Sequence, residues 1–224
     1  METTYKNEFP DGFVKVYRGG KLVSKGKIKD GQYVHTQFFT DSRDGQKYPI
    51  VVIGSRVWLA ANLNYKTAES HCYDDDADNC KIYGRLYSWK DALDACPEGW
   101  DLPNYSEWLA LNKYVGDSDE MLKSASGWSD SQFGIDAFGF SALPAGMGFY
   151  NTPRYIDGKL MAEGRKIYKE EYKHAYFWSS SQSEETHVSG GKWQNKVYVE
   201  DVNIASLDPR SKEMWFSVRC IKDE

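Results

Sequence analysis

Carboxylate side chains cluster in one short stretch between two cysteines, where they could bind a hard cation. Residues 72–80 read CYDDDADNC, with aspartate at three alternate positions: Asp74, Asp76 and Asp78. Calcium binds several carboxylate and carbonyl oxygens, and an alternating series of this kind opens the loop of an EF-hand. Here Asn79 stands where that loop needs glycine, and Arg85 stands where it needs a bidentate glutamate. The pattern leaves open a calcium site or a solvated acidic loop, and these two departures favour the loop.

Aromatic side chains form the second group with recognisable chemistry, because Tyr, Trp and Arg are enriched at binding hot spots. Trp193 lies in the glycine-flanked stretch SGGKWQNK and is predicted to be exposed. The polar insert 147–174 supplies the other predicted ligand-binding residues, which are Tyr150, Arg154, Tyr155, Tyr168 and Tyr172. The alternative is that these tyrosines cover the core with their rings and keep only their hydroxyls in water.

Nucleophilic catalysis has little support in the sequence. Serines occupy positions 179–181, and His174 and His187 are near in sequence, but no Gly-x-Ser-x-Gly elbow is present. Serines that follow an aromatic strand more often satisfy backbone groups at a turn. The sequence also contains no GxGxxG or P-loop pattern. We therefore predict no catalytic residue and no cofactor, apart from the calcium ion discussed above.

The four cysteines have neither a CxxC spacing nor a Cys/His zinc spacing. We interpret them as two disulfides, Cys72–Cys80 and Cys96–Cys220, which the chain-entropy model values at roughly 2.5 and 4–5 kcal/mol. Such bonds persist outside the cytosol. The first residues contain no cationic segment followed by an apolar core, so the interpretation requires that Met1 stands in place of an export signal. The alternative is a cytosolic chain with four free thiols.

Composition narrows the class of protein further. The net charge of −5 and the isoelectric point near 5.5 argue against binding to nucleic acid or to anionic lipid by charge. An aromatic content of 15% excludes a disordered chain. A mean hydropathy of −0.67, without an apolar run near the roughly 18 residues of a membrane helix, excludes a membrane span.

Periodicity predicts a mixed α+β chain rich in loops. Gly19-Gly20 and Asp30-Gly31 are hairpin turns, because tight turns between strands need positive φ. Two helices are predicted at 84–95 and 104–115, and Asn104 or Ser106 can cap the second. Short strands are predicted at 13–18, 21–28, 32–38, 48–53, 56–59, 138–143, 175–180, 195–202 and 213–221.

Several motifs occur in a fixed order that resembles one protein family. They include ACPEGWDLPNYSEWLAL, LKSASGW, FGFSALPAG, YFWSSS and FSVRCIKD. This order resembles the Fibrobacter succinogenes major paralogous domain over about residues 38–223. The resemblance implies a C-type-lectin-like fold, with short antiparallel sheets and paired terminal strands that a Cys96–Cys220 bond would join. It also implies an exported or surface-attached bacterial protein, more distantly similar to formylglycine-generating, sulfatase-modifying domains.

The N-terminal segment 1–38 is predicted to be a small β-hairpin or meander ahead of the domain 39–224. Its stretch YRGGKLVSKGKIKDG resembles one unit of a MORN-like repeat. Because such units normally stack and only one clear copy is present, an ordinary hairpin is the favoured alternative.

These inferences together predict a non-catalytic binding module at the cell surface or outside the cell. Its loops, chiefly 128–174 and 182–212, would bind a glycan or a protein, as loop paratopes do. One alternative is a carbohydrate-active or sulfatase-modifying enzyme, which would show a concave pocket with converging polar groups of shifted pKa. Another is an assembly role, in which the N-terminal strands extend a partner's sheet.

Overall fold

A computed structural model describes residues 5–6, 9–129, 134–157, 159–182, 196–199, 202–207 and 214–223. The N-terminal strands are β1 (Tyr5–Lys6), β2 (Phe9–Pro10), β3 (Gly12–Arg18), β4 (Lys21–Lys29) and β5 (Gln32–Tyr33). Strand β1 pairs with β2, and β3, β4 and β5 form an antiparallel meander. The backbone has positive φ at both predicted turns, which confirms the hairpins. The third strand of the meander is shorter than predicted.

The middle of the chain carries the helices. Its elements are β6 (Phe38–Thr40), β7 (Lys47–Ile53), β8 (Arg56–Leu59), β9 (Ser70–His71), α1 (Ala77–Tyr83), β10 (Leu86–Tyr87), α2 (Trp89–Leu93), β11 (Trp100–Asp101) and α3 (Tyr105–Val115). Helix α3 begins as predicted, because Asn104 Oδ1 accepts from Glu107 N while Glu107 Oε2 accepts from Asn104 N. It ends at Gly116, whose φ is +90°.

The predicted helix over 84–95 is wrong in its first half. Leu86 and Tyr87 are both buried and form β10, which pairs with residues 216–217. Their apolar side chains therefore belong to a strand that is buried on both faces. Helix α2 itself is only five residues long. The acidic stretch, in contrast, contains a helix that the sequence analysis missed, since Asp76 caps α1 at its start.

The remaining elements are strands. They are β12 (Ala145–Asn151), β13 (Arg154–Ile156), β14 (Lys159–Ala162), β15 (Arg165–Glu171), β16 (Ala175–Gln182), β17 (Lys196–Val199), β18 (Val202–Leu207), β19 (Met214–Ser217) and β20 (Ile221–Lys222). The strand predicted at 138–143 is wrong. Asp136, Gly139 and Ser141 all have positive φ there, so the segment turns, and Ala142 forms only a single bridge with Lys123.

Two larger sheets organise the molecule. One has eight strands in the order β17-β18-β16-β12-β19-β10-β9, with β15 paired to β12, and it is mixed because β16 runs parallel to three neighbours. The other is antiparallel, in the order β11-β20-β8-β7-β6. Ile221 pairs with Trp58, so the end of the chain closes on β8. The class is α+β as predicted, although the larger sheet is not purely antiparallel.

Aromatic rings fill the core. Trp108 lies 5.1 Å from Trp58 and 5.5 Å from Phe177, measured between ring centroids. The N-terminal meander buries Val14, Val16 and Ile28 in this same apolar cluster. Whether segment 1–38 is a separate domain stays a prediction, but its sheet shares a core with the rest of the chain. Among the described residues, no helix is long and apolar enough to cross a membrane.

Candidate functional site

The three predicted calcium ligands do not converge on one point. Asp76 Oδ1 accepts from the backbone N of Asp78 at 2.9 Å, and the Asp78 carboxylate bonds to Lys81 Nζ at 2.6 Å. Asp74 lies in a turn with φ of +54°. No three His, Cys, Asp or Glu side chains within the described part of the chain are placed to hold a metal ion. The geometry therefore gives the calcium prediction no support.

The intervening aspartate, Asp75, fixes the acidic loop to the larger sheet. Its Oδ1 accepts from Lys166 Nζ at 2.7 Å and from the Tyr168 hydroxyl at 3.0 Å. The Tyr168 ring lies 6.0 Å from Trp215, and Gly148 makes this packing feasible, since a Cβ there would come within 2.7 Å of the Trp215 ring. Burial, followed by the hydrogen bond to Asp75, raises the pKa of Tyr168 above its usual range. Tyr168 thus packs against Trp215 and bonds to Asp75, and its part in ligand binding stays a prediction.

Tyr172, the residue directly after β15, is more exposed than Tyr168. Half of its surface is accessible, and its ring meets the edge of Tyr83 at 6.2 Å between centroids. Burial, and next the contact with Tyr172, raises the pKa of Tyr83 above its usual range. Tyr172 therefore covers a buried tyrosine with one part of its surface and leaves the rest accessible.

A hairpin that we call the arm, described at residues 150–157 and 159–163, extends from the end of β12 in the larger sheet. It contains β13 and β14, and every side chain that is described in it is exposed. Three of these side chains are large and apolar, with exposed fractions of 45% for Ile156, 44% for Leu160 and 57% for Met161. These three residues were not among the predicted ligand-binding residues. A signal was available, because they are the only Ile, Leu or Met in the sequence between residues 150 and 163.

Predicted ligand residues also lie on the arm. Tyr150 stands at its base, where a Cβ on Gly164 would come within 2.3 Å of the tyrosine hydroxyl oxygen. Arg154 is exposed at the start of β13, and the backbone of Tyr155 follows it in the same strand. The structure therefore brings these three predicted residues to one hairpin. Trp193 and most of the predicted loop 182–212 lie outside the described residues.

The serine run has a structural use. Ser181 Oγ accepts from the backbone N of Tyr105 at 3.0 Å, at the first residue of α3. Ser179 is fully buried, and its Oγ accepts from the backbone N of Ser181 at 3.2 Å. Both hydroxyls thus satisfy backbone groups, in agreement with the favoured interpretation of these serines.

Arg219 is a fully buried cation near the end of the chain. Its guanidinium donates to the carbonyl of Leu59 at 3.1 Å, to the carbonyl of Ser141 at 2.8 Å and to Asn62 Oδ1 at 2.9 Å. It also donates to the carbonyl of Phe140 and lies over that ring at 4.5 Å. Burial lowers the pKa of Arg219 to about 9, so it remains charged at neutral pH. It therefore joins three distant segments of the chain.

Asp136, Ser141 and His35 form a second, partly buried network beside Arg219. The Asp136 carboxylate accepts from Ser141 N at 2.8 Å and from Ser141 Oγ at 2.6 Å, and His35 Nε2 lies 3.2 Å from that same hydroxyl. Burial raises the pKa of Asp136 to about 7 and lowers that of His35 to about 4. In a catalytic triad the histidine lies between serine and acid. Here the serine lies between the other two, an order that suits holding a loop rather than nucleophilic attack.

All four cysteines are bonded, in the predicted pairs Cys72–Cys80 and Cys96–Cys220. This pairing leaves no free thiol for a thiol-based oxidation. Because disulfides persist mainly in oxidising compartments, the two bonds are consistent with an extracellular module.

Comparison with known families gives the identification. Residues 51–222 match the Fibrobacter succinogenes major domain. The chain belongs to the Fibrobacter succinogenes major domain family. No curated protein and no solved structure matches it. Both disulfides and the arm of this Fibrobacter succinogenes major domain lie inside the matched segment, while the N-terminal meander precedes it.

Proposed function

We propose that this protein is a non-catalytic, extracellular binding module that binds a protein ligand through the arm. The observation that carries the proposal is the exposure of Ile156, Leu160 and Met161 on a single projecting hairpin. An isolated two-stranded hairpin is only marginally stable in water. Apolar side chains that are grouped on an exposed element mark interaction sites. A partner that covers the arm would both bury these side chains and hold the hairpin.

The chemistry of the arm favours a protein over a glycan as its ligand. Sugar rings stack on flat aromatic faces, whereas the most exposed apolar groups here are aliphatic or thioether side chains. Two cations, Arg154 and Lys159, and two carboxylates, Asp157 and Glu163, accompany them on the arm. A complementary surface would therefore have an apolar centre and a polar rim with charges of both signs, which is the usual arrangement of a protein interface.

A C-type-lectin-like scaffold and export from the cytosol complete the proposal. The scaffold is supported by the closure of β20 on β8 and by the Cys96–Cys220 bond, which joins the segment after α2 to the last strands. Export is supported by the bonding of every cysteine. Asp136 and His35 have strongly shifted pKa values, which can mark a catalytic site. Here both belong to a network that holds a loop, and this supports a non-catalytic protein.

Capture of an extracellular partner tests the proposal. The immobilised protein is exposed to the extracellular protein fraction of the source organism, in parallel with a variant carrying Ile156→Ser, Leu160→Ser and Met161→Ser. The control is Ile82→Ser, because Ile82 is 58% exposed but lies on α1. We expect a protein that the wild type and the control retain and the triple variant loses. Equal capture by all three, or retention of a glycan alone, would contradict a protein-binding arm.

A further inference from the structure

A cavity of about 340 Å³ lies beside the Cys72–Cys80 bond. We call it the disulfide cavity. Its lining residues include Asn64, Tyr65, Lys66, Lys81 and Arg85, together with both cysteines. It is thus built from the turn between β6 and β7, the loop after β8, helix α1 with the cysteine before it, and the residue before β10. None of its lining residues belongs to the arm.

Two side chains of this lining have buried polar atoms without partners. Arg85 Nε and Asn64 Oδ1 are shielded from solvent and make no hydrogen bond with any described residue. Within the described part of the chain, the Arg85 guanidinium makes one hydrogen bond, and it is long: Nη1 donates to the Ser70 carbonyl at 3.4 Å. Burying an unpaired donor or acceptor is unfavourable. The cavity wall therefore has both a donor and an acceptor that would gain from a ligand.

The charges around the disulfide cavity favour an anion. Lys81 is already paired with Asp78, at 2.6 Å. The ion pairs among the described residues include neither Lys66 nor Arg85. The one lining carboxylate, Asp44, accepts from the backbone N of Gln46 at 3.0 Å and also from its side-chain amide. Lys66 and Arg85 thus border the cavity without a carboxylate partner among the residues that the structure describes.

An aromatic ring adds to the wall. Tyr65 is partly buried, and the Arg43 guanidinium lies over its ring at 3.8 Å from the centroid. Aromatic side chains combine apolar contact with a polar edge. The lining therefore combines two cations, an amide oxygen and a ring, and these groups together match a charged, hydroxyl-bearing ring compound rather than a simple inorganic anion.

We propose that the disulfide cavity binds an acidic sugar, with the sugar carboxylate on Arg85 and Lys66, a sugar hydroxyl donating to Asn64 Oδ1, and the ring against Tyr65. Because the two unpartnered atoms are shielded, binding requires small rotations of the Arg85 and Asn64 side chains toward the cavity. This site is separate from the arm and goes beyond the proposed protein-binding function. It would let one domain bind a carboxylated polysaccharide and a protein together.

Titration calorimetry with a galacturonic acid trisaccharide tests this site, with the methyl-esterified trisaccharide as a neutral probe of the same shape. We expect the acidic form to bind about tenfold or more tightly than the ester, because charge-assisted hydrogen bonds are the stronger kind. Arg85→Gln and Lys66→Gln should each weaken binding of the acid by about tenfold. Lys90→Gln, an exposed lysine on α2, is the matched control and should leave binding unchanged.

Three results would overturn the acidic-sugar site: no binding of the acid at millimolar concentration, equal binding of acid and ester, or unchanged binding in both cavity variants. Lys66 is exposed, so Lys66→Gln keeps the test valid even if Arg85→Gln disturbs folding. The triple serine variant of the arm should bind the trisaccharide normally. Failure of this site and failure of the protein-binding arm are therefore separate results.

Discussion

The two disulfides should contribute unequally to stability, in an order set by the loops that they close. Cys96 and Cys220 are 124 residues apart, whereas Cys72 and Cys80 are only 8 apart. The chain-entropy model gives about 5 kcal/mol for the long loop and about 2.5 kcal/mol for the short one. We therefore expect Cys96→Ala with Cys220→Ala to lower the free energy of unfolding by about 2.5 kcal/mol more than Cys72→Ala with Cys80→Ala.

Urea unfolding under non-reducing conditions measures this difference. With a slope of about 2 kcal/mol per molar urea, the two double variants should differ in midpoint by about 1.2 M. Alanine at Cys220 also removes a sulfur from a fully buried position. The matched control is therefore reduction of the Cys72→Ala, Cys80→Ala variant, which opens only the long loop without removing atoms. Equal losses, or a larger loss from the short loop, would refute the reasoning.

Three further substitutions test individual features of the fold. Replacing Asp136 with asparagine should remove one contribution to the pH dependence of the free energy of unfolding. The pKa of Asp136 in the folded state, about 7, lies above its unfolded value, so protonated Asp136 favours the folded state. This contribution is lost as pH rises from about 4 to about 7. Thermal melts of both proteins across this range should show wild type falling relative to Asp136→Asn, and a constant difference would contradict the burial of this acid. Gly148→Ala should lower the free energy of unfolding by about 1–3 kcal/mol, because the added Cβ meets the Trp215 and Tyr168 rings. Denaturant unfolding measures this loss, and an unchanged free energy would mean that the two rings move aside. Asn104→Ala should cost about 1 kcal/mol by removing the capping box of α3, measured in the same way, and an unchanged midpoint would mean that the cap is not needed.

Features with short-range causes could be predicted from the sequence. The turns at Gly19-Gly20 and Asp30-Gly31 need positive φ, which glycine permits at little cost. Helix α3 follows from a capping residue and a glycine stop, which are both local signals. The Cys72–Cys80 pair, only 8 residues apart, is local in the same sense.

Features that depend on distant contacts could not be predicted in the same way. Leu86 and Tyr87 are at helical spacing with the residues after them, but pairing with β19 makes them a strand. The acidic aspartates look like a metal loop, yet Asp75 meets Lys166 on a strand 91 residues later. The buried Arg219 bonds to the carbonyls of Phe140 and Ser141, which lie 79 and 78 residues earlier in the chain. In the candidate site, Tyr150 and Arg154 could be predicted from their residue types, whereas the exposure of Ile156, Leu160 and Met161 could not.

Hydrogen exchange of the arm with and without the captured partner tests the central claim most directly. Amides exchange slowly only where they are hydrogen-bonded and protected from opening, so an uncovered hairpin exchanges faster than the core. We predict that the partner slows exchange in β13 and β14 by an order of magnitude or more, and leaves the disulfide cavity unchanged. Slowed exchange elsewhere, with unchanged exchange in the arm, would contradict the proposal that this Fibrobacter succinogenes major domain binds proteins through the arm.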